Sequence, residues 1–217
     1  SFPKSKLVAS KHNAEAFFPK APTLISKFLA RLVLVKFTRI ICISSAVQKT
    51  LEELGELPRN SEKVSVVYYG FSSMHTLEPR TRHVSKINQM HEITLGTVSR
   101  LAPQKDLPTM IEAIVLIRNF GYECNLHIYG EGPLREFLLK EISLLHLDKF
   151  VTLEGRTSEP QKAISSFDVF LLTSNYEGFG LVLLEAMQCE TPIIAAKNSA
   201  IIEVLGNDYP WFFETGD

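Results

Sequence analysis

The stretch ITLGTVSRLAPQKDLPTMIEAIVLIRN, residues 93–119, contains the pattern that decides the fold. It begins with a β-rich run, Ile93–Val98, and passes through a polar loop into a helical pattern, Leu107–Asn119. Asp106 is a favourable N-cap, Pro108 is tolerated in the first turn, and apolar residues then recur at spacings of three and four. The stretch therefore predicts one strand, one loop and one helix of a β–α unit.

The same pattern repeats to the end of the chain. The predicted strands that follow are Asn125–Tyr129, Phe150–Glu154, Asp168–Thr173, Pro192–Ala196 and a weaker Trp211–Phe213. The predicted helices are Pro133–His146, Pro160–Phe167, Leu181–Cys189 and Ala200–Leu205. Continuous apolar strands are typical of sheets with helices on both faces. Alternation with short loops predicts a doubly wound parallel sheet.

The first 70 residues also alternate between strands and helices. The predicted strands are Leu7–Ser10, Ile40–Ser44 and Val64–Tyr69, and the predicted helices lie near Thr23–Lys36 and Ala46–Gly55. Three strands make about half of a Rossmann-like domain. We therefore predict that this region is an incomplete Rossmann-like portion.

Three regions follow from these patterns. Residues 1–75 are predicted to be the C-terminal part of an N-terminal Rossmann-like domain. The polar residues 76–91 are predicted to be a linker, and residues 92–217 a complete ligand-binding domain. The sequence opens on Ser1 with no signal-peptide apolar region, so we expect a fragment of a longer protein.

The composition is that of a globular protein. With 45% hydrophobic and 22% charged residues, it excludes disorder, collagen and a disulfide scaffold. Cys42, Cys124 and Cys189 lie among apolar residues without metal-ligand spacing, which predicts buried free thiols and no structural zinc. We expect a cytoplasmic protein, or one at the cytoplasmic face of the membrane.

The net charge of −1 conceals an asymmetry. Residues 1–49 hold nine Lys or Arg and one acidic residue, Glu15. The helical pattern at Thr23–Lys36 combines apolar residues with three cations, which interrupt any bilayer span. Two interpretations stay open: the apolar residues pack in a core beside a solvated basic stripe, or residues 23–39 dock on anionic lipid. Nucleic acid is not an expected partner, because interleaved aromatic residues are missing.

Ligands of parallel sheets bind at the carboxyl ends of the strands. After Val98, Arg100 and Lys105 precede a helix, and such a pair can hold a diphosphate. A solvated loop pair is the alternative. After the next strand, Gly130-Glu131-Gly132-Pro133 begins like a dinucleotide fingerprint, but its last required position is Glu136. A tight turn with Pro133 at the first helical position explains it equally well.

The loop after Asp168–Thr173 is the most informative. Gly178 and Gly180 let backbone amides approach a ligand ahead of a helix N-terminus. Glu177 is predicted in the loop and Glu185 just over one turn into the helix. Carboxylates suit hydroxyl groups rather than phosphates, so a nucleotide sugar, which carries both, is the ligand predicted. The alternative for Glu185 is a charge on the helix surface.

Together these segments resemble the group 1 glycosyltransferases (family 4) of the two-domain GT-B fold. The resemblance runs from about His12 to the end of the chain. It rests on Ser99-Arg100-Leu101 with Lys105-Asp106, Tyr129–Pro133, Leu153–Arg156, Ser174 with Glu177–Gly180, Glu185-Ala186-Met187, and Pro192–Ala195 with Glu203. Glu177 and Glu185 match the family's E-x7-E pattern. The fold it implies is α/β of GT-B type, with doubly wound parallel Rossmann-like sheets. It also implies that residues 1–75 belong to the acceptor-side domain and residues 92–217 to the domain that binds the nucleotide-sugar donor.

The resemblance implies a retaining glycosyltransferase that takes a nucleotide sugar. Arg100 and Lys105 would hold the donor diphosphate, Glu185 the ribose and Glu177 the transferred sugar. The other donor-binding residues it implies are Gly130, Gly132, Gly155, Arg156, Gly178, Phe179, Gly180, Leu181 and Val182. His12 corresponds to the family's active-site histidine and joins Glu177, Arg100 and Lys105 as catalytic, although a structural histidine is the alternative. No Asp-x-Asp occurs in the sequence, so we expect no metal and no cofactor.

Two positions depart from the family pattern. Tyr69 stands where Asn is usual, and Glu190 stands where Gly is common before Thr191-Pro192. Neither change touches Arg100 or Lys105, whereas Tyr69 can alter the hinge.

The implied reaction transfers sugar from a nucleotide donor, a UDP-sugar or a GDP-sugar with UDP favoured, to a saccharide or lipid-linked acceptor in polysaccharide or glycolipid synthesis. Two alternatives stay open: a nucleotide-sugar epimerase or sugar phosphorylase of the same fold, or a non-catalytic nucleotide-sugar-binding module. We expect the isolated chain to bind donor weakly and to transfer sugar poorly or not at all.

Overall fold

The computed structural model describes residues 6–57, 62–70 and 92–217. The chain divides into two compact units. The first unit comprises Ser1–Phe71, Tyr176–Gly180 and Ser199–Asn207. The second unit comprises Ser72–Asn175, Leu181–Asn198 and Asp208–Asp217. The predicted linker, residues 76–91, lies outside the described residues, and the predicted domain boundaries stay predictions.

Strands and helices alternate along the described chain. The strands are β1 Val8–Lys11, β2 Arg39–Cys42, β3 Val64–Val66, β4 Ile93–Val98, β5 Cys124–Tyr129, β6 Val151–Gly155, β7 Val169–Leu172, β8 Ile193–Ala196 and β9 Phe212–Phe213. The helices are α1 Thr23–Leu34, α2 Ser45–Glu53, α3 Leu107–Asn119, α4 Arg135–Leu144, α5 Pro160–Ser165, α6 Leu181–Gln188 and α7 Ser199–Leu205. Every predicted element is present, and only the ends shift by a few residues.

The second unit contains a six-stranded sheet in the order β6-β5-β4-β7-β8-β9, with all neighbours parallel. The strand order reverses between β4 and β7, which is the topological switch point where open parallel sheets bind ligands. Val98 at the end of β4 pairs with Tyr129 at the end of β5, so the loops that follow leave the same edge of the sheet. The first unit contains a parallel three-stranded sheet, β1-β2-β3.

Helix α3 shows how the core of the second unit is built. Leu107, Met110, Ile111 and Ile114 recur at helical spacing and are at most 1% exposed. They pack into one cluster with Leu126 and other residues of β4 and β5. Each such side chain contributes about 1.5–3 kcal/mol on burial. The helix therefore fixes the strand ends on which the candidate site is built.

Asp106 precedes α3 but does not cap it as predicted. Its φ is 46°, and its side chain makes no capping bond to the helix backbone. Instead the hydroxyl of Thr109 donates to the Asp106 carboxylate at 2.9 Å. Pro108 has no N–H group and so removes one of the donors that a cap would serve.

Helix α1 packs through a narrow face and leaves most of its large apolar side chains exposed. Ser26, Ala30 and Leu34 are buried. The large side chains left exposed are Leu24 at 81%, Ile25 at 50%, Phe28 at 63%, Leu32 at 51% and Val35 at 67%. Arg31 Nε donates to the Gly55 carbonyl at 3.0 Å. The interpretation in which the apolar residues pack in a core therefore does not hold for these five, because the buried face consists of Ser26, Ala30 and Leu34.

No helix in the described ranges combines the length and the apolar character that a bilayer span requires.

The three cysteines are buried free thiols, as predicted. Burial raises the pKa of Cys42 to about 11 and also raises the pKa of Cys124. Thiols that stay protonated are poor nucleophiles and poor metal ligands. Among residues 6–57, 62–70 and 92–217, no group of three or more His, Cys, Asp and Glu is placed to hold a metal ion.

Candidate functional site

A cleft of about 520 Å³ opens at the carboxyl ends of β4, β5 and β6 in the second unit. Four of the predicted donor-binding residues, Arg100, Gly130, Arg156 and Glu185, line it. The other lining residues are Val98, Ser99, Tyr129, Glu131, Thr157 and Pro160. Parallel strands end at one edge of the sheet, and this brings together residues that are far apart in the sequence.

The loop after β4 presents one cation in the cleft. Arg100 is exposed, and its Nη2 donates to the Gln104 side chain at 3.2 Å. Lys105 is not among the residues that line the cleft. Its carbonyl accepts a hydrogen bond from the Thr173 hydroxyl at 2.7 Å, and the Gln104 carbonyl accepts one from the Asn175 amide at 2.9 Å. The loops that follow β4 and β7 are therefore tied to each other at the switch point.

Gly130 directly follows β5 and lies close to the backbone of Ser99, which directly follows β4. Its φ is 142°, and a Cβ at this position would lie 1.7 Å from the Ser99 carbonyl oxygen. Its amide donates to the Gly155 carbonyl at 2.7 Å. A Cβ at Gly132 would lie 2.3 Å from the carbonyl oxygen of Leu101. Neighbouring backbone therefore excludes side chains at both glycines, and the cleft wall at Gly130 is bare main chain.

The predicted helix start at Pro133 is wrong. Helix α4 begins at Arg135, whose amide donates to the Gly132 carbonyl at 3.2 Å and closes a turn around Pro133. The turn also brings Arg135 Nη1 to 3.5 Å from the Glu131 carboxylate.

Glu185 lies just over one turn into α6, as predicted, and is half-buried in the wall of the cleft. Burial raises the pKa of this carboxyl group. Its position does not fit the alternative of a solvated charge on a helix surface. Leu181 and Val182 form the first turn of α6, where backbone N–H groups have no partner within the helix.

Six residues that line the cleft were not among the predicted site residues: Val98, Ser99, Tyr129, Glu131, Thr157 and Pro160. Burial first, and then the Glu154 carboxylate, raise the pKa of the Tyr129 hydroxyl. Tyr129 is the last residue of β5, and Thr157 directly follows the predicted Arg156. Because Tyr129 and Thr157 are adjacent in the sequence to the predicted residues Gly130 and Arg156, their positions could have indicated that they line the cleft.

The first half of the E-x7-E segment belongs to the first unit. The Gly178 carbonyl accepts a hydrogen bond from the Ser44 hydroxyl at 2.5 Å. A Cβ at Gly178 would lie 2.0 Å from the His12 carbonyl oxygen. Glu177 is buried, with 7% of its surface exposed, and Gly180 has a φ of 87°. The glycine-containing loop is therefore held against the residues that follow β1 and β2.

His12 is exposed directly after β1, and both of its ring nitrogens have hydroxyl partners. Nδ1 is hydrogen-bonded to the Tyr69 hydroxyl, and Nε2 lies 2.9 Å from the Ser10 hydroxyl. The His12 and Tyr69 rings are 5.7 Å apart, and the Tyr69 and Phe179 rings meet edge-on at 6.0 Å. The structure therefore groups His12 with Gly178 and Phe179.

Glu203 of α7 caps α2 from a distant part of the chain. Its carboxylate accepts hydrogen bonds from the amides of Ser45 at 2.8 Å and Ala46 at 3.1 Å, and from the Tyr68 hydroxyl at 2.7 Å. Burial would raise the pKa of Glu203, but these hydrogen bonds outweigh it and the pKa is lowered. Sequence reasoning noted Glu203 only as part of the resemblance and missed its contacts with α2 and Tyr68.

The predicted site residues thus form two groups, one in each unit. Those in the second unit are Arg100, Lys105, Gly130, Gly132, Gly155, Arg156, Leu181, Val182 and Glu185. Those in the first unit are His12, Glu177, Gly178, Phe179 and Gly180.

Comparison with known proteins identifies the family. The sequence model described as "Glycosyl transferases group 1" matches residues 79–217. The chain is 36% identical over 104 residues to the poly(ribitol-phosphate) alpha-N-acetylglucosaminyltransferase of Staphylococcus aureus, covering 48% of this chain and 21% of that protein. It is 26% identical over 176 residues to a GDP-mannose-dependent alpha-(1-6)-phosphatidylinositol dimannoside mannosyltransferase of Mycobacterium tuberculosis, covering 79% and 44%.

A solved structure has the same fold. A crystal structure of a Staphylococcus aureus TarM mutant with fondaparinux, alpha-GlcNAc-glycerol and UDP superposes with a TM-score of 0.74 at 25% identity, covering 98% of this chain and 41% of that one. The predicted fold class, α/β of GT-B type with parallel Rossmann-like sheets, is confirmed. The chain spans between a fifth and a half of the length of these proteins. It belongs to the group 1 glycosyltransferases.

Proposed function

We propose that this chain is the donor-binding part of a retaining glycosyltransferase that transfers a sugar from a UDP-sugar to a saccharide or lipid-linked acceptor without a metal ion. The observation that carries the proposal is the cleft at the switch point of the second unit. It combines a cation, Arg100, with a half-buried carboxyl group, Glu185, in a chain of this family.

The chemistry of the cleft suits the two ends of a nucleotide sugar. Arg100 offers a planar fork that matches phosphate oxygens, and each charge-assisted bond contributes about 1.5–3 kcal/mol. Glu185 can accept hydrogen bonds from ribose hydroxyls. Bare main chain at Gly130 leaves room for a flat base or a diphosphate to approach the backbone closely.

The choice of uridine rests on relatives. The staphylococcal TarM structure contains UDP, whereas the mycobacterial relative is named for GDP-mannose. We place UDP first because the UDP-containing TarM structure covers 98% of this chain, whereas the mycobacterial relative covers 79%. The acceptors in these names, a poly(ribitol-phosphate) and a phosphatidylinositol dimannoside, support a saccharide or lipid-linked acceptor.

In the proposed reaction, the bond between the anomeric carbon and the diphosphate oxygen breaks. The acceptor hydroxyl oxygen bonds to that carbon on the same face, and its proton passes to the departing diphosphate. Arg100 and Lys105 stabilise the negative charge that grows on the leaving group, which is electrostatic catalysis. Glu177 and His12 of the first unit are assigned to the transferred sugar.

Calorimetric titration with UDP, GDP and UDP-sugars tests the donor site. We expect UDP to bind, and Arg100→Ala to weaken that binding roughly 10- to 100-fold, since about 1.4 kcal/mol corresponds to a factor of ten. Lys140→Ala, which removes an exposed cation from α4, is the matched control and should bind like the wild type. Binding that is unchanged in Arg100→Ala would contradict the assignment of Arg100 to the diphosphate, and no binding of any nucleotide would contradict the proposal.

An acceptor-dependence assay on the full-length protein separates transfer from the other reactions of this fold. A transferase releases free nucleotide from the UDP-sugar in step with acceptor added. Release without acceptor, or conversion of the sugar while it is still attached to nucleotide, would favour an epimerase or related enzyme.

Helix α1 supports membrane contact through residues 23–39. Its exposed apolar side chains lie beside Arg31, and the flanking Lys36 and Arg39 add exposed cations. We propose that this face docks on anionic lipid, where each cation contributes about 1 kcal/mol. Exposed apolar side chains would then enter the interface between headgroups and acyl chains.

Liposome co-sedimentation tests this docking. Binding should rise with phosphatidylglycerol content and fall when Leu24 and Phe28 are both changed to Ser. Leu144→Ser, on α4 and 73% exposed, is the control and should sediment like the wild type. Sedimentation that is independent of anionic lipid, or equal in both variants, would overturn the docking.

We place the protein in the cytoplasm or at the cytoplasmic face of the membrane. Free buried thiols at Cys42, Cys124 and Cys189 support a reducing compartment.

A further inference from the structure

In the first unit, Tyr69 lies between two candidate site residues, His12 and Phe179, and contacts both. These three residues and Gly178 are called the first-unit cluster. Its hydroxyl is hydrogen-bonded to His12 Nδ1, and its ring lies 5.7 Å from the His12 ring. The same ring meets Phe179 edge-on at 6.0 Å. One half-buried side chain therefore contacts both the candidate histidine and the glycine-containing loop.

The imidazole of His12 is held at both ends. Tyr69 occupies Nδ1, and the Ser10 hydroxyl lies 2.9 Å from Nε2. A hydroxyl can donate or accept, so the ring keeps both partners whichever nitrogen carries the proton. His12 is exposed, and an exposed ring without partners would rotate freely. The two hydroxyls thus fix the plane of the ring in either tautomer.

The glycine-containing loop is set by contacts with the same residues. Gly178 passes so close to His12 that a Cβ would lie 2.0 Å from the His12 carbonyl oxygen. Phe179 is buried between the rings of Tyr69 and Tyr68, which lie 6.0 Å and 5.7 Å away. Loss of the Tyr69 ring would free one side of Phe179, whereas loss of the hydroxyl alone would free only His12.

We propose that Tyr69 is a positioning residue for the sugar transfer: it orients His12 through Nδ1 and holds Phe179 through its ring. The inference rests on the proposed function. Tyr69 acts on the reacting sugar through His12 and on no part of the nucleotide, so its effect falls on turnover and not on nucleotide affinity.

The experiment compares Tyr69→Phe with Tyr68→Phe in the full-length protein. Tyr69→Phe keeps the aromatic ring and removes only the hydroxyl group that is hydrogen-bonded to His12 Nδ1. We expect kcat to fall roughly 10- to 100-fold, as for other small misplacements of a reacting group, with KM for the UDP-sugar unchanged within about twofold. Tyr68→Phe removes a hydroxyl that bonds Glu203 and should keep kcat within about twofold.

A second measurement reads the position of His12 directly. Nitrogen-15 NMR of the imidazole should show a changed Nδ1 signal for His12 in Tyr69→Phe. His127, whose Nδ1 lies 2.6 Å from the Glu154 carboxylate, is the internal reference and should not change. This readout does not depend on activity, and an unchanged His12 signal in Tyr69→Phe would show that the hydroxyl does not hold the imidazole and would overturn the inference.

The outcomes are distinct. A fall in kcat with constant KM and a changed His12 signal supports the inference. An unchanged kcat, or equal losses in both tyrosine variants, overturns it while the proposed function stands. Wild-type protein that binds UDP-sugar but never transfers it overturns the proposed function and this inference together.

Discussion

The two groups of candidate site residues differ in how much of their bonding the protein itself supplies. In the first unit, His12, Gly178 and Phe179 are bonded to or packed on neighbouring side chains. In the second unit, Arg100 is exposed and Glu185 is half-buried beside a cleft of about 520 Å³. Residues whose geometry must stay fixed are held by hydrogen bonds and packing within the protein. Residues that bind a ligand instead face an open cleft, where the ligand can reach their polar atoms.

Both groups also contain a glycine whose Cα lies so close to a backbone carbonyl oxygen that a side chain would not fit. Gly130 meets Ser99 in the second unit and Gly178 meets His12 in the first. Substitution of each glycine tests whether the cleft and the cluster depend on backbone contact to the same degree.

The largest effect is expected for Gly130→Ala. The new Cβ would lie 1.7 Å from backbone, at a φ of 142° that side chains rarely adopt, so the strand ends must separate. We expect the free energy of unfolding of the second unit to fall by at least about 3 kcal/mol, as strain and overpacking combine. Urea denaturation measures this. Gly121→Ala has a positive φ of 87° but nothing within 4 Å, and should lose about 1–2 kcal/mol. Equal losses would show that the close crossing is unimportant.

Gly178→Ala is expected to come next. Its Cβ would lie 2.0 Å from the His12 carbonyl oxygen, and the loop can move away only by breaking the bond from Ser44. We expect a loss of about 2 kcal/mol from the first unit. Gly70→Ala, with nothing within 4 Å, is the control and should be near neutral. A Gly178→Ala variant as stable as the wild type would show that the close contact between Gly178 and the His12 backbone does not contribute to the stability of the first unit.

Glu203→Gln tests the bonding within the first unit more gently. One cap acceptor becomes an amide, and we expect a loss of about 1 kcal/mol at neutral pH, kept small by solvent screening. The pKa of Glu203 is lowered in the folded state, so its stabilisation is complete above the ordinary carboxyl pKa of 4.5 and is lost as pH falls through the lowered value. The free energies of unfolding of the wild type and Glu203→Gln, measured at several pH values, should therefore become equal in acid.

The control for this prediction lies on α2. Glu53 is exposed, with Lys49 at 4.0 Å, and Glu53→Gln should cost less than about 0.5 kcal/mol. If the two variants lose the same stability, Glu203 does not cap the helix.

The smallest effect concerns pH and the cleft. Burial raises the pKa of Glu185, so its carboxylate takes up a proton at a higher pH than an ordinary glutamate does. UDP affinity should therefore weaken more in the wild type than in Glu185→Gln as the pH falls from about 7.5 towards the ordinary carboxyl range. The nucleotide's own phosphate titrates in both proteins, so their difference isolates the carboxyl group. Calorimetry measures it.

Glu136→Gln, on the exposed side of α4, should keep the wild-type pH dependence of UDP binding. Parallel curves for the wild type and Glu185→Gln would show that Glu185 does not contact the nucleotide.

Helices α1 and α3 show how far sequence patterns reach. Both repeat apolar residues at helical spacing, and both were predicted as helices. In α3 the periodic residues Met110, Ile111 and Ile114 are buried, as expected, whereas α1 buries Ser26 and Ala30 and exposes Phe28. Periodicity predicts that a helix has two faces, but which face packs depends on the neighbouring elements.

The candidate site shows the same division. Arg100 and Glu185 were predictable because each occupies a loop or helix start at the end of a strand, and such places follow from the order of elements. Tyr69 and Glu203 could be noted in the sequence, but their partners could not, since His12 and Ser45 are far from them along the chain.

The amino-acid sequence alone determined the alternation of strands and helices, the parallel sheet of the second unit and the loops that carry its candidate ligand groups. These features depend on periodicity and loop chemistry, which are local. Tertiary structure alone decided which face of α1 is exposed, that Glu203 caps α2 and that Tyr69 holds His12. Such contacts form only when folding brings distant segments within hydrogen-bonding distance.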